Sequence, residues 1–417
     1  MAEVPLNPFS SEAARGHLNP PPGVRTEGVE AGLDARKACI EERSVVGDYV
    51  STAEVRLTTQ TGPDRRPDAT VGGGFRGHLN RLVQGLERGM RFFTESPPPE
   101  VDRTPREQVE RFDLVTVSRF QGSTRRHRTP VLLVPALMIK PYLFDLRPGH
   151  SLAESLLERG FDVFVVDFGV PDEADAHLRI SDYVFSFLPR ALEAVTRASG
   201  QPAATLLGYC TGGLFALLCA ASRQSQVANL VLLACPMDYE KMGVISFITR
   251  RYQRQLHALL DRLGYVPGFV PSLAVDVADP LGGLTRYSDL FLSVWDHEYR
   301  KGRQALNHWL HDLVPGPRDA WKEFLDTFVV GNALVEGRVE LAGRTLHLEE
   351  VRCPLLALAG KRDPIATEAS TREIVDLVGS PDRTFQVVPG GHVGIVAGSS
   401  APQTTWRLVE DWLEPRS

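Results

Sequence analysis

From residue 112 onward the chain alternates between short apolar runs and longer stretches in which apolar positions recur at helical spacing. The runs are FDLVTVSRF (112–120), VLLVPA (131–136), FDVFVVDF (161–168), ATLLGY (204–209), NLVLLA (229–234), CPLLALAG (353–360) and TFQVVPG (384–390). The first alternates apolar with polar residues and predicts a half-exposed strand. Most of the others are unbroken and β-rich, as strands covered on both faces of a parallel sheet must be. Helical patterns fall between them near 151–159, 181–198, 211–222, 367–378 and 402–413. Strand and helix in turn predict a doubly wound, mostly parallel α/β sheet.

The alternation stops between Ala234 and Val351, where ISFITRRYQRQLHALLDRLG, YSDLFLSVWDHEYRKGRQALNHWLHDL and AWKEFLDTFVVGNALVEG are all helical in character. An insertion at this point would lie over the strand ends, so a mainly helical cap is expected. The predicted organisation is a low-complexity N-terminal extension (1–74), an amphipathic helix and linker (75–110), a first core part (111–236), a cap (237–350) and a second core part (351–417). Within the second of these, Leu79, Leu82, Val83, Leu86, Met90 and Phe93 share one helical face. That face suits packing on its own domain, or a partner subunit or hydrophobic granule surface.

Composition narrows the function. Net charge is −6, from 46 basic and 52 acidic residues, which gives no general affinity for nucleic acid or anionic membrane. Five irregularly spaced cysteines fit neither a zinc site nor a disulfide framework and suit a reducing cytoplasm. No secretory signal is visible at the start and no apolar run is long enough to cross a bilayer, so a soluble protein is expected.

Chemistry concentrates in ATLLGYCTGGLFALLCA, residues 204–220. A strand runs into Gly208-Tyr209-Cys210-Thr211-Gly212 and then a helix, the spacing of a G-x-nucleophile-x-G elbow with cysteine as the nucleophile. Gly208 and Gly212 remove side chains that would block so sharp a turn, and Gly213 allows close helix–sheet approach. The helix that follows points its positive end at the sulfur, an arrangement that favours the thiolate. Beside this reading stands that of a buried structural cysteine in a glycine-rich packing contact.

A nucleophilic cysteine needs a base and a carboxylate that orients the base. Asp363 follows CPLLALAG and His392 follows TFQVVPG, the chain order acid then histidine. Both should emerge beside the elbow at carboxyl ends of strands. The oxyanion would be met by backbone N–H groups of Thr211 and of Leu137 or Met138, in the loop after VLLVPA. His257, His297, His308 and His311 lie on helical stretches without metal-ligand geometry, and Asp167 is expected to hold its own loop. Neither a metal nor a separate cofactor is expected. A thiolate exchanges readily with thioesters, which favours acyl transfer from an acyl-CoA over ester hydrolysis.

Several ordered segments resemble the polyhydroxyalkanoate synthase family of the α/β-hydrolase superfamily, and within it the shorter class III catalytic subunits. GYCTGG resembles its cysteine-bearing lipase-like box, ALMIKPYLFDLRPGHSL its oxyanion-loop segment, and FVVDFGVPD a further family segment. NHWLHDLVPGPRDAWKEF resembles a cap segment around Trp309 and Asp312, and KRDPIAT and VPGGHVGI the segments bearing Asp363 and His392. The resemblance implies that Cys210 carries a growing acyl chain and that His392 deprotonates it. Asp363, with His392, would help activate the hydroxyl of an incoming (R)-3-hydroxyacyl-CoA, giving polyester and CoA. It also implies a homodimer, a second non-catalytic synthase subunit and attachment to the polyester granule. Pro364, Phe168 and Ile139 stand where the family usually has His, Trp and Asn. A cysteine thioesterase or small-acceptor acyltransferase on the same scaffold, and a weakly catalytic granule-assembly protein, are the alternatives.

Overall fold

A computed structural model of the chain describes residues 99–122, 124–268 and 297–417. The N-terminal extension and the amphipathic segment at 78–94 lie outside the described residues.

Eight strands form one sheet in the order β1-β2-β4-β3-β5-β6-β11-β12. They are β1 (Arg106–Phe112), β2 (Val115–Phe120), β3 (Val131–Val134), β4 (Val163–Asp167), β5 (Ala204–Tyr209), β6 (Val227–Leu233), β11 (Leu355–Gly360) and β12 (Arg383–Val388). The pairings β1/β2 and β2/β4 are antiparallel; the remaining five are parallel. Every residue of β3, β5 and β11 is buried, which is why these strands read as unbroken apolar runs. From β3 the chain crosses to β4 on one side and later returns to β5 on the other. The loops after β3 and β5 therefore meet at a topological switch point, where a crevice forms at the carboxyl ends of the strands.

The run at 112–120 is not one strand. Asp113, with φ 48°, turns the chain, and the charge-rich β1 folds back on β2 as an antiparallel edge hairpin. The sheet thus begins at Arg106, ahead of the boundary drawn at 111, because REQVERF has no apolar run to announce it.

Helices α1 (Leu152–Arg159) and α2 (Leu188–Ser199) each end on a glycine in left-handed conformation, Gly160 and Gly200. Helix α3 (Thr211–Ser222) is buried from Thr211 to Ala221, as its all-round apolar sequence requires. One core cluster packs α3 with Phe168, Tyr183 and the inner face of α2; a second lies on the opposite side of the sheet.

The described part of the 237–350 interval contains α4 (Val244–Arg251), α5 (Gln253–Leu263), α6 (His297–His311) and α7 (Arg318–Glu323). It is not wholly helical. Tyr265–Val266 (β7) pairs with Gly316–Pro317 (β8), and Arg338–Leu341 (β9) with Arg344–His347 (β10). The β9/β10 turn uses Ala342 and Gly343, both at positive φ, and Val339, Leu341 and Leu346 bury the hairpin in the core. No described helix is long and apolar enough to cross a membrane.

Candidate active site

Cys210 sits between β5 and α3 with φ 52° and ψ −122°, a backbone conformation that L-residues rarely adopt. Two glycines make it possible. A Cβ on Gly208 would lie 2.5 Å from Gly213 Cα, and one on Gly212 would lie 2.3 Å from the carbonyl oxygens of Val134 and Pro135. Gly213 faces Cys235, whose Cβ would be 2.9 Å from an added methyl. The Cys210 N–H donates to Leu233 O at 2.9 Å, and its own carbonyl accepts from Gly213 and Leu214. The elbow is thus held from both ends. The N–H groups of Thr211 and Gly212, in the first turn of α3, have no intrahelical partner and face outward from the helix end.

His392 Nδ1 lies 2.8 Å from Asp363 Oδ2. A carboxylate only accepts, so Nδ1 carries the hydrogen and the other ring nitrogen is left for a second partner. The Cys210 charge acts on the ring from the elbow. Burial works to lower the imidazole pKa, but the charges of Asp363 and Cys210 and the hydrogen bond to Asp363 outweigh it, and the ring is pushed up to about 10. Asp363 is fixed in turn: its Oδ1 accepts from the amides of Ile365 (2.8 Å) and Ala366 (2.9 Å). Pro364, lacking an N–H, spans the turn without competing for the carboxylate. The three side chains singled out from the sequence are thereby brought together from three separate strand ends.

Of the amides expected to meet an oxyanion, Leu137 differs from expectation. Its N–H donates to Thr211 Oγ1 at 2.9 Å and is already satisfied. The carbonyl of Met138 accepts from Val314 N at 2.9 Å, so the segment after the cap helix braces this loop.

The other singled-out residues take supporting places. Asp167 accepts from Gly169 N at 2.9 Å and holds its own loop. His257 pairs with Asp326 at 2.8 Å, His311 bonds the carbonyl of Asn307, and His308 is exposed. Ile139 is buried in the core on the side of the sheet that also holds Trp309. Phe168 is buried edge-on to Tyr183 and Phe215, at 5.1 and 5.9 Å between centroids. It supports the nucleophile helix from behind.

Two sets of contacts have no signal in the sequence. The Tyr209 ring packs 5.3 Å from the His392 ring, and burial, then Cys210 and Asp363, push its phenol well above its ordinary pKa, so it remains a neutral platform. Asp312 accepts from Lys140 Nζ (2.6 Å) and Tyr142 Oη (3.0 Å), and Trp309 Nε1 donates to the Lys140 carbonyl. Asp312 and Trp309 were visible only through resemblance; their attachment to the loop after β3 was not.

Comparison with known proteins places the chain in a family. Residues 129–398 match the model of the alpha/beta hydrolase fold. The Poly(3-hydroxyalkanoate) polymerase subunit PhaC of Haloferax mediterranei is 31% identical over 76% of this chain and 65% of its own length. The proteins of that name from Allochromatium vinosum and Synechocystis sp. are 27% and 30% identical, over 79% and 76% of this chain and 94% and 86% of their own. Among solved structures, Paleococcus ferrophilus monoacylglycerol lipase aligns with 73% of this chain and 99% of its own at 17% identity, with a TM-score of 0.44. The chain belongs to the poly(3-hydroxyalkanoate) polymerase family, enzymes of the acyltransferase type built on the α/β-hydrolase fold.

Proposed function

We propose that the protein polymerises 3-hydroxyacyl groups from their CoA thioesters, with Cys210 as nucleophile, His392 as general base and acid, and Asp363 as the group that orients His392. The observation that carries this reading is the His392–Asp363 hydrogen bond set beside the strained elbow of Cys210, whose charge acts on the His392 ring. The Cys210 sulfur attacks the thioester carbonyl, the C–S bond to CoA breaks, and His392 gives the leaving CoA sulfur the proton taken from Cys210. The hydroxyl of a second 3-hydroxyacyl-CoA then attacks the acyl-cysteine, losing its proton to His392 as an ester forms and Cys210 is released. Return of the lengthened chain to Cys210, with loss of CoA, completes the cycle. The charge that develops on each tetrahedral oxygen calls for backbone N–H donors, and the amide of Thr211 at the start of α3, which has no hydrogen bond among the described residues, suits that task.

This chemistry uses no cofactor beyond its substrates, and CoA leaves as product. The reading includes a homodimer, a second synthase subunit and work at the surface of a polyester granule. The test is CoA release from 3-hydroxybutyryl-CoA by the purified chain, with polymer extracted from the same reaction. Release together with polymer supports the polymerase; release without polymer supports a thioesterase or small-acceptor transferase.

A further inference from the structure

The loop after β3 and the residue after the nucleophile are joined by one side chain. Leu137 N–H donates to Thr211 Oγ1 at 2.9 Å across 74 residues of sequence, and both residues are 6% exposed. On its far side the same loop is held by Val314 N on the Met138 carbonyl (2.9 Å) and Trp309 Nε1 on the Lys140 carbonyl (3.4 Å). Within the loop, Ile139 N reaches Ala136 O at 3.3 Å. Only one of these ties runs to the nucleophile helix itself. With Leu137 N–H engaged, the amides of Thr211 and Met138, which have no hydrogen bond among the described residues, remain to face a reacting oxygen.

We propose that the Thr211 hydroxyl is a positioning group for acyl transfer. By accepting the Leu137 N–H it fixes the backbone of residues 136–139 against the first turn of α3, so that the Met138 and Thr211 amides converge on one thioester oxygen. The inference rests on Cys210 being the nucleophile. The physical reason for a side chain here is reach: the two amides come from different loops, and preorganised donors act only if their separation is fixed before charge develops. A hydroxyl on a one-carbon stem can accept at this short range, and serine keeps that ability. Valine has the shape of threonine without the acceptor and leaves a buried N–H unpaired.

The test compares the full-length protein with Thr211→Val and Thr211→Ser in two assays. One is steady-state CoA release from 3-hydroxybutyryl-CoA; the other is acylation of Cys210 by p-nitrophenyl butyrate, read by mass spectrometry. The removal of one oxyanion donor typically costs 100-fold or more, so partial loss of its alignment should lower kcat about 10- to 100-fold in T211V, with KM within about twofold. T211S should keep kcat within about threefold. Hydrogen exchange of a peptide covering 136–139 should quicken in T211V and not in T211S, while alkylation of Cys210 by iodoacetamide stays at the wild-type rate in both. T211V with wild-type kcat, or T211S as impaired as T211V, overturns the proposal. If T211V does not fold, T211A against T211S makes the same comparison. A wild-type protein that neither releases CoA nor is acylated on Cys210 overturns the nucleophile reading and this role with it.

Discussion

His392 Nδ1 stands 2.8 Å from Asp363 Oδ2, and the other oxygen of that carboxylate is occupied by two backbone amides. The carboxylate therefore cannot turn away from the ring, and the imidazole is held as a cation well above its ordinary range. Its pKa rises from 6.5 to about 10, burial being outweighed by Asp363 and Cys210. A value raised in the folded state contributes stability that is fully present below about pH 6.5 and is lost as pH rises through about 10.

Asp363→Asn tests this window. It removes the main charge that favours the imidazolium, so its His392 should titrate nearer the ordinary value in NMR of the ring protons. In urea unfolding, the advantage of the wild type over the variant should be a few kcal/mol near pH 6.5 and shrink steadily toward pH 10. An advantage that grows with pH over that range would reverse the sign of the argument.

Gly212→Ala is expected to destabilise sharply. Its Cβ would meet backbone oxygens of Val134 and Pro135 at 2.3 Å, and backbone cannot rotate aside as a side chain can. The cost should be about 3 kcal/mol or more in denaturant unfolding, toward the upper end for overpacking. Gly394→Ala, two residues after His392, has no atom within 4 Å of the new methyl and should be close to neutral. Equal stability losses in the two variants would mean that close helix–strand approach does not shape the elbow.

Phe168 links a departure from the family pattern to packing. It is buried against Tyr183 and against Phe215 of α3. Phe168→Ala should cost about 3–5 kcal/mol in unfolding free energy, the usual range for a buried phenylalanine. Phe168→Leu should cost less. A Phe168→Ala variant of full stability would contradict the packing role.

Much of this arrangement is legible in the sequence because its causes are local. Strands covered on both faces must be continuously apolar, as β3, β5 and β11 are, and the elbow needs small residues at fixed offsets from Cys210. Asp363 is readable because it follows such a strand, whereas His392 follows β12, a half-exposed strand marked by its TFQVV run. The edge hairpin was not: β1 is charged, exposed and announced by no apolar run. The β9/β10 hairpin is silent in the sequence because its turn places Ala342 where asparagine or glycine usually signals the bend. The Thr211–Leu137 bond joins positions 74 residues apart, and only the parallel pairing of β3 with β5 brings them together.

Asp312 ties the end of α6 to the loop after β3 through Lys140 and Tyr142. The Lys140–Asp312 pair is about one-third exposed on each side, so Lys140→Ala should change stability by no more than about 1 kcal/mol. Asp312→Asn keeps the shape and weakens both contacts. Its effect on the rate of CoA release should exceed what its small loss of stability explains. An unchanged rate would show that the bracing of this loop does not depend on Asp312.

The central claim is that Cys210 carries the acyl group. The direct measurement is mass spectrometry of the protein quenched during reaction with 3-hydroxybutyryl-CoA, with CoA release followed in parallel for wild type and Cys210→Ala. The account predicts one or more 3-hydroxybutyryl units on the peptide containing Cys210, and neither adduct nor CoA release in the variant. An adduct on a different residue, or CoA release at the wild-type rate from Cys210→Ala, would contradict it.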